Sequence, residues 1–175
     1  MHAKILSMKR KWNILTNSIS AILVGFIIFK QVPAVWNNFE KEGSSLSTKE
    51  YVDSRTNEKT IFPRKDQRAI GIFWATWCGP CKIEMDRLHK SVVQGKLNAS
   101  QIYAINAFES QDDISRFIRK SQYSFNFISS PYATRQLAVK STPTTIFLDG
   151  ESVTSISSGL SLVGIWRAEQ YLAQR

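Results

Sequence analysis

The 175 residues carry a formal charge of +9, from 23 Lys and Arg against 14 Asp and Glu, and leave room for one compact domain with a short appendage. With 43% hydrophobic and 21% charged residues, the composition excludes a disordered or collagen-like chain. The basic charge is not organised for nucleic acid: Lys4, Lys9, Arg10 and Lys11 precede the first apolar run, while Arg116, Arg119, Lys120 and Arg135 are scattered among acids.

Residues 1–13 form a basic N-terminus. From Ile14 to Phe29 the sequence reads ILTNSISAILVGFIIF without a charge, and Lys30 can snorkel to a lipid boundary. With its flanks the run reaches about 18 residues, near the lower limit for crossing a bilayer as a helix. A transmembrane anchor is therefore expected over 14–32. The Lys9-Arg10-Lys11 cluster lies before it and Trp36 beyond it, so the positive-inside bias puts the N-terminus in the cytoplasm and the remainder outside. A cleaved signal peptide would share the basic start, and Val32-Pro33-Ala34 resembles a small-residue cleavage site, although Pro33 and Lys30 make it a poor one. A buried core helix would need polar positions at helical spacing in the C-terminal half of the run, and there are none. Anchor and signal alike export the rest of the chain. The anchor reading makes this a single-pass protein of the inner, cytoplasmic membrane with its working domain on the periplasmic side. Residues 33–58, polar and centred on Gly43-Ser44-Ser45-Leu46-Ser47-Thr48, read as a linker, which leaves 59–175 as the folded domain.

In that domain Thr60 to Phe62 reads as an edge strand closed by Pro63. Arg68 to Ala75 (RAIGIFWA) is a nearly continuous apolar run, the pattern of a strand covered on both faces. Gly79-Pro80 opens a helix that Gly95 stops, with Cys81, Met85, Leu88 and Val92 along its inward stripe. A strand follows over 101–106, then a helix over 112–121 with Ile114, Phe117 and Ile118 inward. A short strand is expected over 125–128 and a short helix over 132–139. Strand 144–148 turns at Asp149-Gly150 into a hairpin partner over 153–157, and 160–173 closes the chain as a helix with Leu162, Ile165, Trp166 and Leu172 as core residues. The order predicts an α/β domain, a central mixed β-sheet flanked by helices.

The chain has only two cysteines, Cys78 and Cys81, in Trp77-Cys78-Gly79-Pro80-Cys81. So small a loop stabilises a fold very little when bridged, which argues against a structural disulfide. Half of a zinc site is the other bland reading, but the only histidines are His2 and His89, so no metal is expected. At a helix N-terminus the first cysteine has exposed N–H groups and the helix dipole to stabilise its thiolate. Cys78 is then the attacking nucleophile and Cys81, one turn in and more buried, the thiol that resolves the mixed disulfide. No cofactor beyond this redox-active pair is expected. Trp77 reads as a platform beside the site, Trp74 as packing, and His89 as a solvated residue.

The segment Phe73 to Met85 (FWATWCGPCKIEM) resembles the active site of the membrane-tethered, extracytoplasmic thioredoxins of the TlpA/ResA type, and the likeness runs from Arg68 to the C-terminus. It implies the thioredoxin fold. Ser141-Thr142-Pro143-Thr144-Thr145 is similar to the family's loop in which a cis proline faces the cysteines; Pro143 would take that role and the backbone of Thr142 would pair with an extended substrate. Gly159 matches a glycine usual before the last helix. The extra chain around 121–139 resembles the strand and helix that this group inserts. Where minimal thioredoxins keep a buried Asp the chain has Ile72. The resemblance instead implies Glu84, one turn beyond Cys81, as a partly buried carboxylate that accepts the Cys81 proton. The family's helix-kinking proline is replaced by Asp86.

The expected catalytic residues are Cys78, Cys81 and Glu84, and the expected substrate-binding residues Trp77, Gly79, Pro80, Thr142 and Pro143. The first function is an extracytoplasmic protein-disulfide reductase, as in cytochrome c maturation, recharged by a membrane thiol-reducing partner. The Gly-Pro dipeptide resembles the reducing thioredoxins, near roughly −270 mV. The alternatives are a disulfide oxidase or isomerase, and a non-catalytic assembly factor or chaperone that keeps the fold.

Overall fold

A computed structural model describes residues 40–161 and 163–173, together with Ser20, Ile22, Gly25 and Phe26. The chain divides into a unit over 1–36 and a unit over 37–175. In the first, the four described residues are helical and exposed. Nearly all of the expected anchor over 14–32, and the basic N-terminus before it, lie outside the described residues. Among the described residues no helix is long and apolar enough to cross a membrane.

The second unit holds a two-stranded antiparallel ribbon, β1 (Lys49–Val52) with β2 (Lys59–Phe62), and a five-stranded sheet. The sheet is built from β3 (Arg68–Phe73), β4 (Ile102–Asn106), β5 (Asn126–Ser129), β6 (Thr144–Asp149) and β7 (Ser152–Ser158), in the order β5-β4-β3-β6-β7. β3, β4 and β5 run parallel, β6 is antiparallel to β3, and β7 is antiparallel to β6, giving the expected mixed sheet. Helices α1 (Gly79–Val93), α2 (Gln111–Lys120), α3 (Pro131–Gln136) and α4 (Gly164–Ala173) complete it. β5 and α3 fall inside the stretch expected as an insertion.

The apolar run of β3 explains the layering, because alternate side chains leave opposite faces of the sheet. Ile70, Ile72 and Trp74 meet Cys81, Met85 and Leu88 of α1, Ile114 and Ile118 of α2, and Ala168 of α4. Ala69 and Phe73 instead join Phe62 of β2, Tyr103, Ile105, Ile146 and Ala133 of α3. At Gly71, between them, an added Cβ would lie 2.9 Å from Cγ1 of Ile146 and 3.0 Å from Cδ1 of Ile105, so any side chain there would force these neighbours to shift. α1 ends as its sequence requires, with Gly95 at φ +71, a conformation that costs glycine nothing.

Two expectations fail here. Residues 33–58 read as linker, yet they contain β1, and both Leu46 and Asp53 are buried. Main-chain bonds explain it. Gly43 N donates to Val153 O at 2.7 Å, Val153 N to Ser44 O at 2.8 Å and Leu46 N to Glu151 O at 2.8 Å, along the outer side of β7. On β5, Ser54 N donates to Phe127 O at 2.7 Å and Phe127 N to the Asp53 carboxylate at 3.2 Å. A polar sequence can thus be ordered through its backbone. Trp166, expected in the core, is 63% exposed. α4 starts at Gly164 rather than 160, and it packs through Ile165, Ala168 and Leu172, a stripe that leaves Trp166 outside. Leu162 lies outside the described residues.

Candidate active site

β3 ends at Phe73 against Thr144 of β6, and its parallel neighbour β4 ends one residue beyond Ile105, the partner of Phe73. The segment leaving β3, the loop leaving β4 and the loop entering β6 therefore gather at one end of the sheet. Trp74, fully buried, is tied by its N–H to Ile105 O at 3.1 Å. The chain then makes a turn over 75–78, closed by Cys78 N donating to Ala75 O at 3.1 Å. The turn delivers Cys78 as the N-cap of α1, with φ −81° and ψ 99°. Pro80, in the first helical turn, has no N–H to leave unpaired.

Cys78 and Cys81 are joined as a disulfide, with their Cα atoms 5.3 Å apart. Sγ of Cys78 accepts the Cys81 N–H at 3.2 Å, so the sulfur serves as the helix cap. The first turn of α1 holds no acidic residue to compete for the positive end of the helix. Cys81 is fully buried and Cys78 is 4% exposed, while Gly79 and Pro80 lie at the surface and Trp77 is 73% exposed. The exposed indole suits a contact surface, and Trp74 is core.

In the loop entering β6 at the same end of the sheet, the Thr142–Pro143 peptide is cis, as the resemblance implied. Pro143 is buried and Thr142 half-buried. Its loop is held by Gly159 N donating to Pro143 O at 2.7 Å, Gly159 lying at φ +87, and by Thr144 Oγ1 donating to Ser141 O at 2.8 Å.

Glu84 is 5% exposed on the buried side of α1. Its Oε2 has no hydrogen bond and lies 3.9 Å from Nη1 of Arg87, which donates to Ser161 O at 3.0 Å. An added Cβ on Gly164 would lie 2.8 Å from Glu84 Oε1, so the carboxylate fills the space that glycine leaves at the start of α4. Burial pushes its carboxyl above the usual range, and the Arg87 guanidinium pulls partly the other way. Arg87 is its charged neighbour. His89 is not solvated as expected: it is half-buried, edge-on to Tyr123 at 5.7 Å and to Phe125 at 6.4 Å. Asp86, at the position of the family's proline, accepts from the Tyr123 hydroxyl at 2.6 Å.

Thr76, Asn106 and Glu109 join the site without a motif to mark them. Glu109 accepts from Thr76 N at 2.7 Å, from the Thr76 hydroxyl, and from Asn106 Nδ2 at 2.7 Å. The only signal in the sequence is a polar pair, Asn106 and Glu109, directly after an apolar strand. Among the described residues no group of three or more His, Cys, Asp or Glu is arranged to hold a metal.

A strand, a turn and a helix that present a cysteine pair beside a cis-proline loop define a thioredoxin-like fold with a redox-type dithiol. Residues 44–154 match the AhpC/TSA family, and the chain belongs to that family. It is similar to the thiol-disulfide oxidoreductase ResA of Halalkalibacterium halodurans, 29% identical over 93 residues that cover 51% of this chain and 53% of that protein. To ResA of Bacillus subtilis it is 28% identical over 135 residues, covering 73% of this chain and 72% of that one. The chain thus spans only about half the length of the first relative. Its fold is similar to that of StoA from Bacillus subtilis, with a TM-score of 0.62 at 16% identity over 73% of this chain and 98% of that one.

Proposed function

We propose that this chain is a thiol–disulfide oxidoreductase that reduces disulfides of exported proteins. The observation that carries the reading is the Cys78 sulfur at the cap of α1, receiving the Cys81 N–H. The donor that faces the sulfur in the disulfide also faces the thiolate after reduction, so the attacking form is favoured before a substrate arrives.

In the reduced form, the Cys78 thiolate attacks one sulfur of a substrate disulfide and expels the other as a thiolate, which takes up a proton. Cys81 then gives up its proton and attacks the Cys78 sulfur of the mixed disulfide, releasing the second substrate thiolate and closing the Cys78–Cys81 bond. Two electrons pass from the pair to the substrate. Glu84, buried and raised in pKa, is the proposed acceptor of the Cys81 proton. Trp77, Gly79 and Pro80 offer the surface on which the substrate lies, and the backbone of Thr142 beside Pro143 the edge along which it extends. The charge-free run over 14–29 after Lys9-Arg10-Lys11 supports an anchor in the cytoplasmic membrane with the domain outside, where a membrane thiol donor would return two electrons and two protons.

Reduction of insulin disulfides by the reduced full chain tests the activity, with Cys78→Ser and Cys81→Ser abolishing it; activity that survives both substitutions belongs to a scaffold and ends the proposal. Equilibration with glutathione tests the direction. A potential near about −270 mV is expected, and one above about −150 mV would make the protein an oxidant. Cys81→Ala should freeze a mixed disulfide on Cys78 in cells. If none accumulates, Cys78 is not the attacking thiol.

A further inference from the structure

We propose that Glu109 is a positioning residue for the attacking thiol: acting through Thr76, it holds the turn over 75–78 in the form that presents Cys78 to a disulfide. The inference rests on the reading of Cys78 as nucleophile.

The turn closes through one bond of its own, Cys78 N to Ala75 O. Of its two central residues Thr76 is half-buried and Trp77 exposed. Both groups that Thr76 can offer, the amide and the hydroxyl, go to the Glu109 carboxylate. That carboxylate is itself fixed. Its Oε2 accepts from Nδ2 of Asn106, a fully buried side chain whose Oδ1 accepts Phe108 N at 2.9 Å. The main-chain oxygen of Asn106 accepts Ser130 N at 3.3 Å. The carboxylate thereby ties the turn after β3 to the end of β4 with three charge-assisted bonds, and the main chain of Asn106 links these to the segment leaving β5.

Charge alone gives no reason to keep Glu109 there. A carboxylate beside the redox turn disfavours the Cys78 thiolate. Its benefit must come through geometry: the cap bond from Cys81 N and the in-line approach of a disulfide both depend on how the turn delivers Cys78, and small misplacements of a reacting atom are costly. The two contributions have opposite signs, which makes them separable.

The test uses the reduced full chain with Glu109→Ala and Glu109→Gln. The first readout is the pH profile of Cys78 alkylation by iodoacetamide, in which the thiolate displaces iodide and forms a thioether. The second is the rate of mixed-disulfide formation with oxidised glutathione. Glutamine can keep its oxygen toward the two N–H donors and face the Thr76 hydroxyl with its amide. It should therefore leave the exchange rate within about twofold and the alkylation midpoint in place or slightly lower. Alanine should slow exchange by about tenfold and move the midpoint upward, because the cap is loosened. A downward midpoint in both variants would mean that Glu109 acts by charge, and would overturn the inference. So would an unchanged alanine variant, or one whose slowing matches its unfolded fraction by circular dichroism. If the unaltered protein alkylates at Cys78 yet forms no mixed disulfide, the oxidoreductase reading fails. The sign of the alanine shift still decides the role of Glu109.

Discussion

Gly164 sets a test of where the Glu84 carboxylate is held. Replacing it with alanine would put a methyl 2.8 Å from Glu84 Oε1, 2.9 Å from Cβ of Ser161 and 3.2 Å from its Oγ. Ordinary contacts begin near 3.4 Å, so the carboxylate and the serine must each withdraw by roughly half an ångström. The carboxylate has little freedom to do so, being 5% exposed between α1 and the start of α4. Overpacking of this kind costs about 1–3 kcal/mol, offset by about 0.4–1 kcal/mol from the smaller entropy of the unfolded alanine chain. The net expectation is a loss of about 1–2 kcal/mol, a fall of roughly 3–10 °C in the midpoint of a domain this size. Thermal melts of the oxidised full chain followed by circular dichroism would measure it. Shortening the partner by one methylene, Glu84→Asp, withdraws the carboxylate, so alanine at 164 should cost about 0.5–1 kcal/mol less in that background. An unchanged or raised midpoint for Gly164→Ala, or strict additivity of the two changes, would refute the packing of Glu84 against α4.

The raised pKa of Glu84 has its own signature. A carboxyl whose folded pKa lies above its unfolded value stabilises the fold while protonated, and that contribution disappears as pH rises through the folded pKa. Glu84→Gln should therefore gain stability relative to the unaltered protein between pH 4 and pH 8, read as urea midpoints at both values; the opposite slope would remove the buried acid. At Gly71, alanine meets Ile146 and Ile105 in the middle of the sheet and should cost about 1–3 kcal/mol, with Ile105→Val, which deletes the Cδ1 at 3.0 Å, recovering part of the loss. Equal stability of Gly71→Ala and the unaltered chain in chemical denaturation would show that the sheet has room the distances deny.

Much of this architecture could be read from local pattern. Gly79-Pro80, the stripe from Cys81 to Val92 and Gly95 together specify α1, since caps and period agree there. The strands β3, β4 and β6 are apolar enough to announce themselves. What escaped was set by distant partners. Leu46 and Asp53 lie in a polar stretch whose order comes from main-chain bonds to Glu151, Val153 and Phe127, and hydropathy does not register such bonds. Trp166 has the bulk of a core residue but falls off the stripe once α4 starts at Gly164. Within the site, the cysteines, Pro143 and Glu84 are visible as motif positions. Arg87 and Glu109 are ordinary charged residues until folding brings Ser161 and Thr76, 74 and 33 positions away, within hydrogen-bond reach.

The segment over 43–54 has a consequence for how the protein behaves among copies of itself. A five-stranded sheet has two outer strands, here β5 and β7, and each would offer unpaired amides and carbonyls as a template for another chain. The same short stretch meets both, occupying Glu151 and Val153 at the start of β7 and Phe127 on β5. It acts as a selvage, binding off both sides of the weave. A chain shortened to begin at residue 59 would keep the cysteine pair and the cis-proline loop yet lose this protection, and should self-associate under conditions where one beginning at residue 37 stays monodisperse in light scattering.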